Sequence, residues 1–249
     1  MTMKSPLRLA MLSSLAALSL VACGGGAADQ SKEQAVIEKI AAPAGKSWSQ
    51  TVAPTAEGGM LLGNPDAPIK LVEFASITCS HCADFSKNSS EELKKDFIDS
   101  GRVSLEMRHF VRDPLDATAA AILRCAPNDR YYPLLEATFA GQADLFTGAQ
   151  SNQAAGEAAM KLAPDKRFPA LATGWKIDEF FMARGVTSDQ INACLSKVDN
   201  ITKLEETTNK AMSEHKISGT PSFLINGQIA EGANTWPLLR DRLRSMGVR

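Results

Sequence analysis

Residues 69–82 read Ile69-Lys70-Leu71-Val72-Glu73-Phe74-Ala75-Ser76-Ile77-Thr78-Cys79-Ser80-His81-Cys82. The apolar first half predicts a buried strand, and the residues from Ala83 to Lys95 predict a helix. A cysteine delivered to the first turn of a helix is readily ionised, because free N–H groups and the positive end of the helix dipole lie there. Two cysteines at this spacing can also bond to each other, so the pair is predicted to cycle between dithiol and disulfide.

The composition is that of an ordinary globular protein. The 249 residues are 44% apolar and 22% charged, which lies well outside the range of disordered chains. This length allows one domain with an insertion or two small domains. A net charge of −1 gives no indication of a nucleic-acid partner or of a substrate attracted by charge.

The first residues predict export. A basic start precedes an apolar run over residues 9–21, which is too short for a membrane-spanning helix and typical of a secretory signal. The run ends in Leu20-Val21-Ala22-Cys23-Gly24, which resembles a bacterial lipobox. We therefore expect a signal peptide at 1–22, lipid on Cys23, and a location in the periplasm or cell envelope, anchored to a membrane. An ordinary cleaved signal followed by an unmodified cysteine is the alternative.

A tether is predicted between the lipid and the domain, over residues 23–48, because this segment is rich in Gly, Ala, Ser and Gln. Within it, Lys32–Ala41 carries apolar residues on one side of a potential helix. This helix is predicted either as a transient element of the linker or as a small oligomerisation helix.

Export also makes disulfides possible. The chain has five cysteines, and four remain if Cys23 carries lipid. Beyond the closely spaced pair these are Cys125 and Cys194, whose simplest arrangement is a bond that closes a loop of roughly 70 residues. Two isolated buried thiols are the alternative.

The pattern elsewhere predicts alternating strands and helices. Met60-Leu61-Leu62 predicts a short edge strand followed by a Pro-containing turn. Arg102–Arg108 predicts a second strand, parallel to the first because a helix separates them. Residues 115–199 contain Ala-rich runs and predict a helical insertion. After a further helix, Asn226-Gly227 predicts a β-hairpin, and a helix ends the chain.

These segments together resemble the thioredoxin-fold family, specifically its DsbA-like branch of exported thiol–disulfide oxidoreductases. The resemblance covers about residue 60 to the C-terminus and rests on Leu71-Val72-Glu73-Phe74, Cys79-Ser80-His81-Cys82, the insertion and Gly219-Thr220-Pro221-Ser222-Phe223. It implies an α/β thioredoxin fold, a central mixed sheet flanked by helices, formed by 49–114 and 200–249 with an inserted α-helical domain over 115–199. A zinc site would need two further ligands beside the CxxC, so neither a metal nor another cofactor is expected.

The resemblance also implies roles for the residues of the CxxC. Cys79 is expected to be the exposed nucleophile and Cys82 its buried partner. His81 is expected to lower the pKa of the nucleophile through a hydrogen bond or its charge, and a solvated polar residue is the alternative. Ser80 stands where the family most often has proline, which leaves the redox potential open.

Two positions outside the CxxC are assigned by the same resemblance. Thr220-Pro221 resembles the family's cis-proline loop, which lies against the disulfide and lets an extended substrate segment pair with the backbone of Thr220. Glu73 is expected to relay a proton for Cys82. An outward-facing glutamate on an edge strand is the alternative for Glu73.

The leading hypothesis for function is an oxidase of reduced exported client proteins. A client thiol attacks Cys79, a mixed disulfide forms, and the client's second thiol resolves it. The resemblance implies a membrane quinone-linked reoxidase of the DsbB type as a further partner. The first alternative is an isomerase or reductase on the same fold, kept reduced and oligomeric. The second is an envelope lipoprotein that binds clients without turnover, an activity that Cys79→Ser would leave intact.

Overall fold

A mixed β-sheet forms the centre of the protein. The computed structural model describes residues 35–249, so the predicted signal peptide and the predicted lipid site at Cys23 lie outside the described residues. The strands are β1 (Val52–Pro54), β2 (Met60–Gly63), β3 (Ile69–Ala75), β4 (Val103–His109), β5 (Ser222–Ile225) and β6 (Gln228–Ile229). Their order across the sheet is β1-β2-β4-β3-β5-β6.

The central strand β3 leads into the CxxC. It pairs in parallel with β4 and antiparallel with β5, and every residue of it except Lys70 is buried. Burial on both faces explains why this segment is almost continuously apolar instead of alternating. The predictions of a buried strand, of a parallel neighbour and of a hairpin at Asn226-Gly227 are confirmed.

Helices cover the sheet and form the insertion. After β3 comes α1 (Ser80–Glu92), which a π-helical turn extends over Leu93–Ile98. The insertion comprises α2 (Pro114–Arg124), α3 (Asn128–Ala140), α4 (Gln142–Ser151), α5 (Gln153–Met160), α6 (Pro164–Gly174), α7 (Ile177–Met182) and α8 (Ser188–Leu195). The chain returns to the sheet through α9 (Val198–His215) and ends with α10 (Trp236–Ser245). Within residues 35–249, no helix is both long and apolar enough to cross a membrane.

The alternation of side chains along β3 separates two apolar clusters. Val72 and Phe74 pack with Ala211 of α9 in the smaller cluster. Leu71 and Ala75 point to the opposite face and belong to the main core, which also contains Phe85 of α1. This main core extends into the insertion, so the thioredoxin-like sheet and the inserted helices are packed as one body. The predicted α/β thioredoxin fold with a helical insertion is confirmed.

The predicted edge position of Met60-Leu61-Leu62 is wrong. These residues form β2, but β1 pairs with its outer side, with Val52 opposite Leu62. The segment 52–54 contains only three residues and ends in a proline, which is too short for a period-2 pattern to be recognised. Tertiary pairing, rather than the local sequence, therefore places the sheet edge at β1.

The predicted helix over Lys32–Ala41 does not form in its described part, residues 35–41. Instead the N–H group of Ile37 donates to the carbonyl of Gly247 (3.0 Å), and that of Ile40 donates to the carbonyl of Ser100 (2.9 Å). These hydrogen bonds to the domain replace the i to i−4 bonds that a helix would need. Of the apolar residues in this segment, Ile37 packs against the core, whereas Val36 and Ile40 are exposed.

The tether predicted over 23–48 also ends earlier than expected. Trp48 is buried, and its indole N–H donates to the carbonyl of Ile40 at 2.8 Å. Gly101 has a φ of 71°, and a Cβ at this position would collide with the same carbonyl of Ile40. Residues 35–48 therefore form a docked segment that belongs to the folded domain.

Candidate active site

Cys79 is the N-cap residue of α1. Its backbone is extended, with φ −92° and ψ 117°, and its carbonyl accepts hydrogen bonds from the N–H groups of Cys82 and Ala83, both at 3.2 Å. The sulfur therefore lies at the helix end where backbone N–H groups are free and the dipole favours negative charge. Only 4% of Cys79 is exposed, which differs from the exposed nucleophile expected from the sequence.

The two cysteines differ sharply in acidity. A hydrogen bond from Cys82 is the largest cause that lowers the pKa of Cys79, to about 5, and it outweighs the opposing effect of burial. The Thr220 side chain, the N–H of Cys82 and the charge of Arg112 lower it further. Desolvation raises the pKa of the fully buried Cys82 thiol far above its usual value, and Cys79 and Glu73 add to this rise. At neutral pH the pair therefore holds one thiolate, on Cys79, and one thiol, on Cys82.

The loop before β5 lies against Cys79. The Thr220–Pro221 peptide bond is cis, and Sγ of Cys79 donates to the carbonyl oxygen of Thr220 at 3.2 Å. The hydroxyl of Thr220 is buried and has no hydrogen-bond partner in this arrangement. It is thus available to donate to the sulfur once Cys79 has lost its proton, which accounts for its effect on the pKa of Cys79.

A groove of about 340 Å³ continues from this loop. Its walls are the segment from Ser218 to Phe223 on one side and the segment from Ile229 to Asn234 on the other. Thr220 is half-buried at the head of the groove, while Gly219 is exposed. An extended chain lying in this groove would pass directly beside the sulfur of Cys79.

Glu73 lies at the middle of the central strand and is 8% exposed. It is therefore not an outward-facing glutamate on an edge strand. Burial, and secondarily the negative charge of Cys79, raise the pKa of Glu73 to about 8. The side chain lines a small cavity of about 30 Å³ together with Ser89 of α1 and Tyr132 of α3. That volume is sufficient for a water molecule, which could carry a proton between Glu73 and the serine-lined side of α1.

His81 does not contact the sulfurs in the way expected from the sequence. Its side chain is exposed on α1, and it is not among the groups that shift the pKa of Cys79. The position of His81 therefore fits the alternative of a solvated polar residue. Ser80, in the place where proline is common in the family, is exposed as well.

The insertion supplies polar contacts to the CxxC loop that sequence reasoning missed. Gln142, at the start of α4, donates through Nε2 to the carbonyls of Ile77 (2.7 Å) and Cys79 (3.0 Å). Asp116 of α2 is completely buried and accepts from the N–H of Ile77 at 2.8 Å. Neither residue stands out in the sequence, because both helices contain further polar residues.

The structure joins Cys125 and Cys194 in a disulfide, with their Cα atoms 6.0 Å apart. Cys125 caps the C-terminus of α2 and Cys194 lies on α8, so the bond connects the first and last helices of the insertion. The amide of Asn200 donates to both sulfurs, each at 3.5 Å. Cys79 and Cys82 are both free thiols, and residues 35–249 contain no group of three or more His, Cys, Asp and Glu suited to a metal ion.

Known proteins are similar to this chain in sequence and in structure. The family model described as "Thioredoxin" matches residues 55–243. A "putative protein-disulfide oxidoreductase" of Rickettsia bellii is 30% identical over 172 residues, which cover 69% of this chain and 58% of the relative. The chain thus spans little more than half the length of the Rickettsia proteins that it matches.

Two solved structures extend the comparison. The crystal structure of a protein-disulfide isomerase from Novosphingobium aromaticivorans has a TM-score of 0.69 and 35% identity, and the match covers 74% of this chain and 95% of that one. Wolbachia pipientis α-DsbA1 has a TM-score of 0.61 over 78% of this chain and 93% of its own, and at 21% identity it supports the fold alone. The match to the family model, together with the sheet order and the CxxC at the start of α1, shows that the chain belongs to the thioredoxin family.

Proposed function

We propose that this protein is an exported thiol–disulfide oxidoreductase that donates its Cys79–Cys82 disulfide to reduced client proteins. The observation that carries the proposal is the position of Cys79 at the N-terminus of α1 and beside the Thr220-Pro221 loop, an environment that lowers the pKa of Cys79 to about 5. The Rickettsia relative named as a protein-disulfide oxidoreductase supports the same reaction class.

The reaction proceeds through a mixed disulfide. A client thiolate attacks Sγ of Cys79, the bond between Cys79 and Cys82 breaks, and Cys82 leaves as a thiolate that takes up a proton. A second client thiolate then attacks the client sulfur of the mixed disulfide and releases Cys79 as a thiolate. Two electrons pass from the client to the protein, and the client gains one disulfide.

The acidity of the two cysteines suits this direction. Stabilising the Cys79 thiolate stabilises the dithiol form, which makes the disulfide form a stronger oxidant. Cys82, by contrast, is protonated in the dithiol because burial raises its pKa. Glu73 is the nearest candidate to exchange that proton, since its own raised pKa of about 8 lets it bind and release a proton close to neutral pH.

The client would bind as an extended segment in the groove beside Thr220. In this proposal the clients are reduced exported proteins, and a membrane quinone-linked partner of the DsbB type restores the disulfide of the protein. Lipid on Cys23 would hold the domain at a membrane of the cell envelope, close to such a partner. These partners follow from the resemblance and from the N-terminal residues of the sequence.

A disulfide isomerase or reductase is the second candidate, because the Novosphingobium structure with 35% identity is named as a protein-disulfide isomerase. An isomerase of this fold would be kept reduced and would oligomerise around a client-binding cleft. The helix over Lys32–Ala41, for which oligomerisation is one of two predicted roles, does not form over residues 35–41. Size-exclusion chromatography with light scattering separates the two candidates: a monomer supports the oxidase, and a dimer or trimer supports the isomerase.

The equilibrium of the Cys79–Cys82 pair with glutathione is the decisive measurement. We expect a potential far more oxidising than that of thioredoxin, which is about −270 mV. A value near that of thioredoxin would overturn the oxidase proposal. An activity that persists in Cys79→Ser would instead indicate client binding without turnover.

A further inference from the structure

Arg112 lies in the turn between β4 and α2, where the chain enters the insertion, and it contacts the loop that leads to Cys79. Its Nε donates to Oγ of Ser76 at 3.0 Å, and its Nη2 donates to Oγ1 of Thr78 at 3.2 Å. Thr78 directly precedes Cys79, and the carbonyl of Ser76 accepts the N–H of Cys79 at 3.1 Å. Two hydrogen bonds thus hold the guanidinium beside the active-site loop.

The two hydroxyl groups that bind Arg112 are oriented by carboxylates. Oγ of Ser76 donates to Oδ2 of Asp116 at 2.6 Å, and Oγ1 of Thr78 donates to Oδ2 of Asp113 at 2.7 Å. A hydroxyl has one hydrogen to donate and two lone pairs to accept with. Because each hydrogen is used on a carboxylate, both hydroxyls accept with their lone pairs. Arg112 donates to both, and the N–H of Thr78 also donates to Oγ of Ser76 at 3.2 Å.

The charge of Arg112 is not cancelled by a direct ion pair. Among residues 35–249, no carboxylate oxygen lies within ion-pair distance of its guanidinium. The guanidinium reaches Asp113 and Asp116 through the hydroxyls, while the backbone N–H of Arg112 donates directly to Oδ2 of Asp116 at 3.0 Å. Burial raises the pKa of Asp116 to about 7, so that it is partly neutral near pH 7. The positive charge therefore acts on its surroundings, and it lowers the pKa of Cys79.

We propose that Arg112 is a positioning residue for the Cys79 thiolate: the entry turn of the insertion holds a cation beside the nucleophile and so increases the oxidising strength of the disulfide. This inference deepens the proposed function and rests on it. It assigns to the turn before the insertion an electrostatic role that the resemblance had assigned to His81, which lies between the two cysteines.

The test compares Arg112→Met with Arg112→Lys, which keeps the charge, and with Arg130→Met, which removes an exposed cation of α3 outside the active-site loop. The pKa of Cys79 is measured from the ultraviolet absorbance of its thiolate, and the redox equilibrium from the reaction of the dithiol with GSSG to give the disulfide and two GSH. Arg112 is exposed, so the effect is partly screened by solvent. We expect Arg112→Met to raise the pKa of Cys79 by roughly 0.5–1 unit and to shift the equilibrium about three- to tenfold toward the protein disulfide.

Arg112→Lys is expected to restore part of this shift, and Arg130→Met is expected to cause none. High salt provides a second measurement without any variant. At 1 M salt the Debye length is about 3 Å, so the charge of Arg112 is screened and the pKa of Cys79 in the wild type should rise. If Arg112→Met does not fold, Thr78→Val removes one of the two acceptors and should shift the pKa of Cys79 in the same direction.

The outcomes separate this inference from the proposed function. A folded Arg112→Met variant whose Cys79 ionises at the wild-type pKa overturns the role of Arg112. Equal shifts in Arg112→Met and Arg130→Met also overturn it, because they would reflect net charge instead of position. A wild-type Cys79 that ionises like free cysteine overturns the proposed function itself.

Discussion

Sγ of Cys79 lies 3.2 Å from the carbonyl oxygen of Thr220, although 141 residues separate them in the chain. The thiol donates to this carbonyl, whereas a thiolate cannot. Ionisation of Cys79 therefore requires other donors at the same place, and these are the Cys82 thiol and N–H, the N-terminus of α1 and the buried hydroxyl of Thr220. The contact between two distant segments thus contributes to the acidity of Cys79, in addition to the larger effect of Cys82.

Removal of the Thr220 hydroxyl should weaken the stabilisation of the thiolate. We expect Thr220→Val to raise the pKa of Cys79 by roughly 0.5–1 unit, since a hydrogen bond to the charged form is lost. Thr220→Ser keeps the hydroxyl and is the matched control. Titration of the thiolate absorbance checks the prediction. Equal pKa shifts in both variants would show that the shape of the side chain at position 220, and not its hydroxyl, affects the pKa of Cys79.

The pKa of Cys79 is lowered and that of Cys82 is raised, so we expect their serine variants to behave in opposite ways. Cys82→Ser should accumulate mixed disulfides with oxidised clients, because the thiol that would resolve them is absent. Cys79→Ser should form none, since the remaining Cys82 is completely buried and its pKa is strongly raised. Non-reducing gels of the trapped species distinguish the two. Abundant adducts on Cys82 in the Cys79→Ser variant would contradict the assigned roles.

Glu73 should impose a pH dependence on stability. Its pKa is raised by burial from 4.5 to about 8, so the folded state binds more protons than the unfolded state between these pH values. The contribution of Glu73 to the free energy of unfolding therefore decreases as the pH rises from about 4.5 to about 8. We expect Glu73→Gln to gain stability relative to the wild type across this range. Denaturant unfolding at several pH values measures the difference, and a difference that does not change with pH would contradict the raised pKa.

The same variant should slow proton exchange at Cys82. If Glu73 transfers this proton, reactions in which Cys82 gains or loses its proton should be slowed about tenfold or more in Glu73→Gln. Stopped-flow oxidation of the dithiol by GSSG reports this step. An unchanged rate, together with the expected change in stability, would mean that Glu73 is buried next to Cys82 without relaying its proton.

The Cys125–Cys194 disulfide should stabilise the insertion and leave the redox site unaffected. The bond joins residues separated by 69 positions, and we expect its removal in a double alanine variant to lower the free energy of unfolding by about 2–4 kcal/mol. The glutathione equilibrium of Cys79–Cys82 should remain at the wild-type value. A large change in that equilibrium would instead indicate that the bond controls the packing of the active-site loop.

The docked segment 35–48 can be tested at Gly101. Gly101→Ala combines a positive φ of 71° with a collision against the carbonyl of Ile40. Gly45→Ala is a matched control, since its φ is 75° and no atom lies within 4 Å of the added Cβ. We expect Gly101→Ala to lose about 1–3 kcal/mol more than Gly45→Ala. It should also make residues 35–47 accessible to protease, and equal losses would show that the segment contributes little.

Local patterns predicted much of the fold. The run of apolar residues before Cys79, the helix after it and the Asn226-Gly227 turn are all short-range signals, and the structure confirms the strand, the helix and the hairpin. The helical character of residues 115–199 was equally readable from their composition. Each of these features depends on interactions between residues close in sequence.

The tertiary contacts of the functional residues could not be predicted from local sequence patterns. Glu73 is buried because β4 and β5 flank its strand, whereas the sequence left an outward-facing glutamate on an edge strand as an alternative. Part of the docked segment 35–48 has the apolar spacing of a helix. Its backbone N–H groups at Ile37 and Ile40 nevertheless donate to carbonyls of Gly247 and Ser100. These outcomes depend on which surfaces meet in space, and the pattern along one segment does not contain that information.

By itself, the sequence determined that a strand carries two cysteines to the start of a helix, since strand and helix propensity are local properties. Only the tertiary structure decided which groups surround the sulfur of Cys79: Thr220 from the loop before β5, Arg112 from the entry of the insertion, and not the adjacent His81. The physical reason is that a thiolate is stabilised by the charges and hydrogen-bond donors around it, and the folded chain brings Thr220 to Cys79 from 141 positions away.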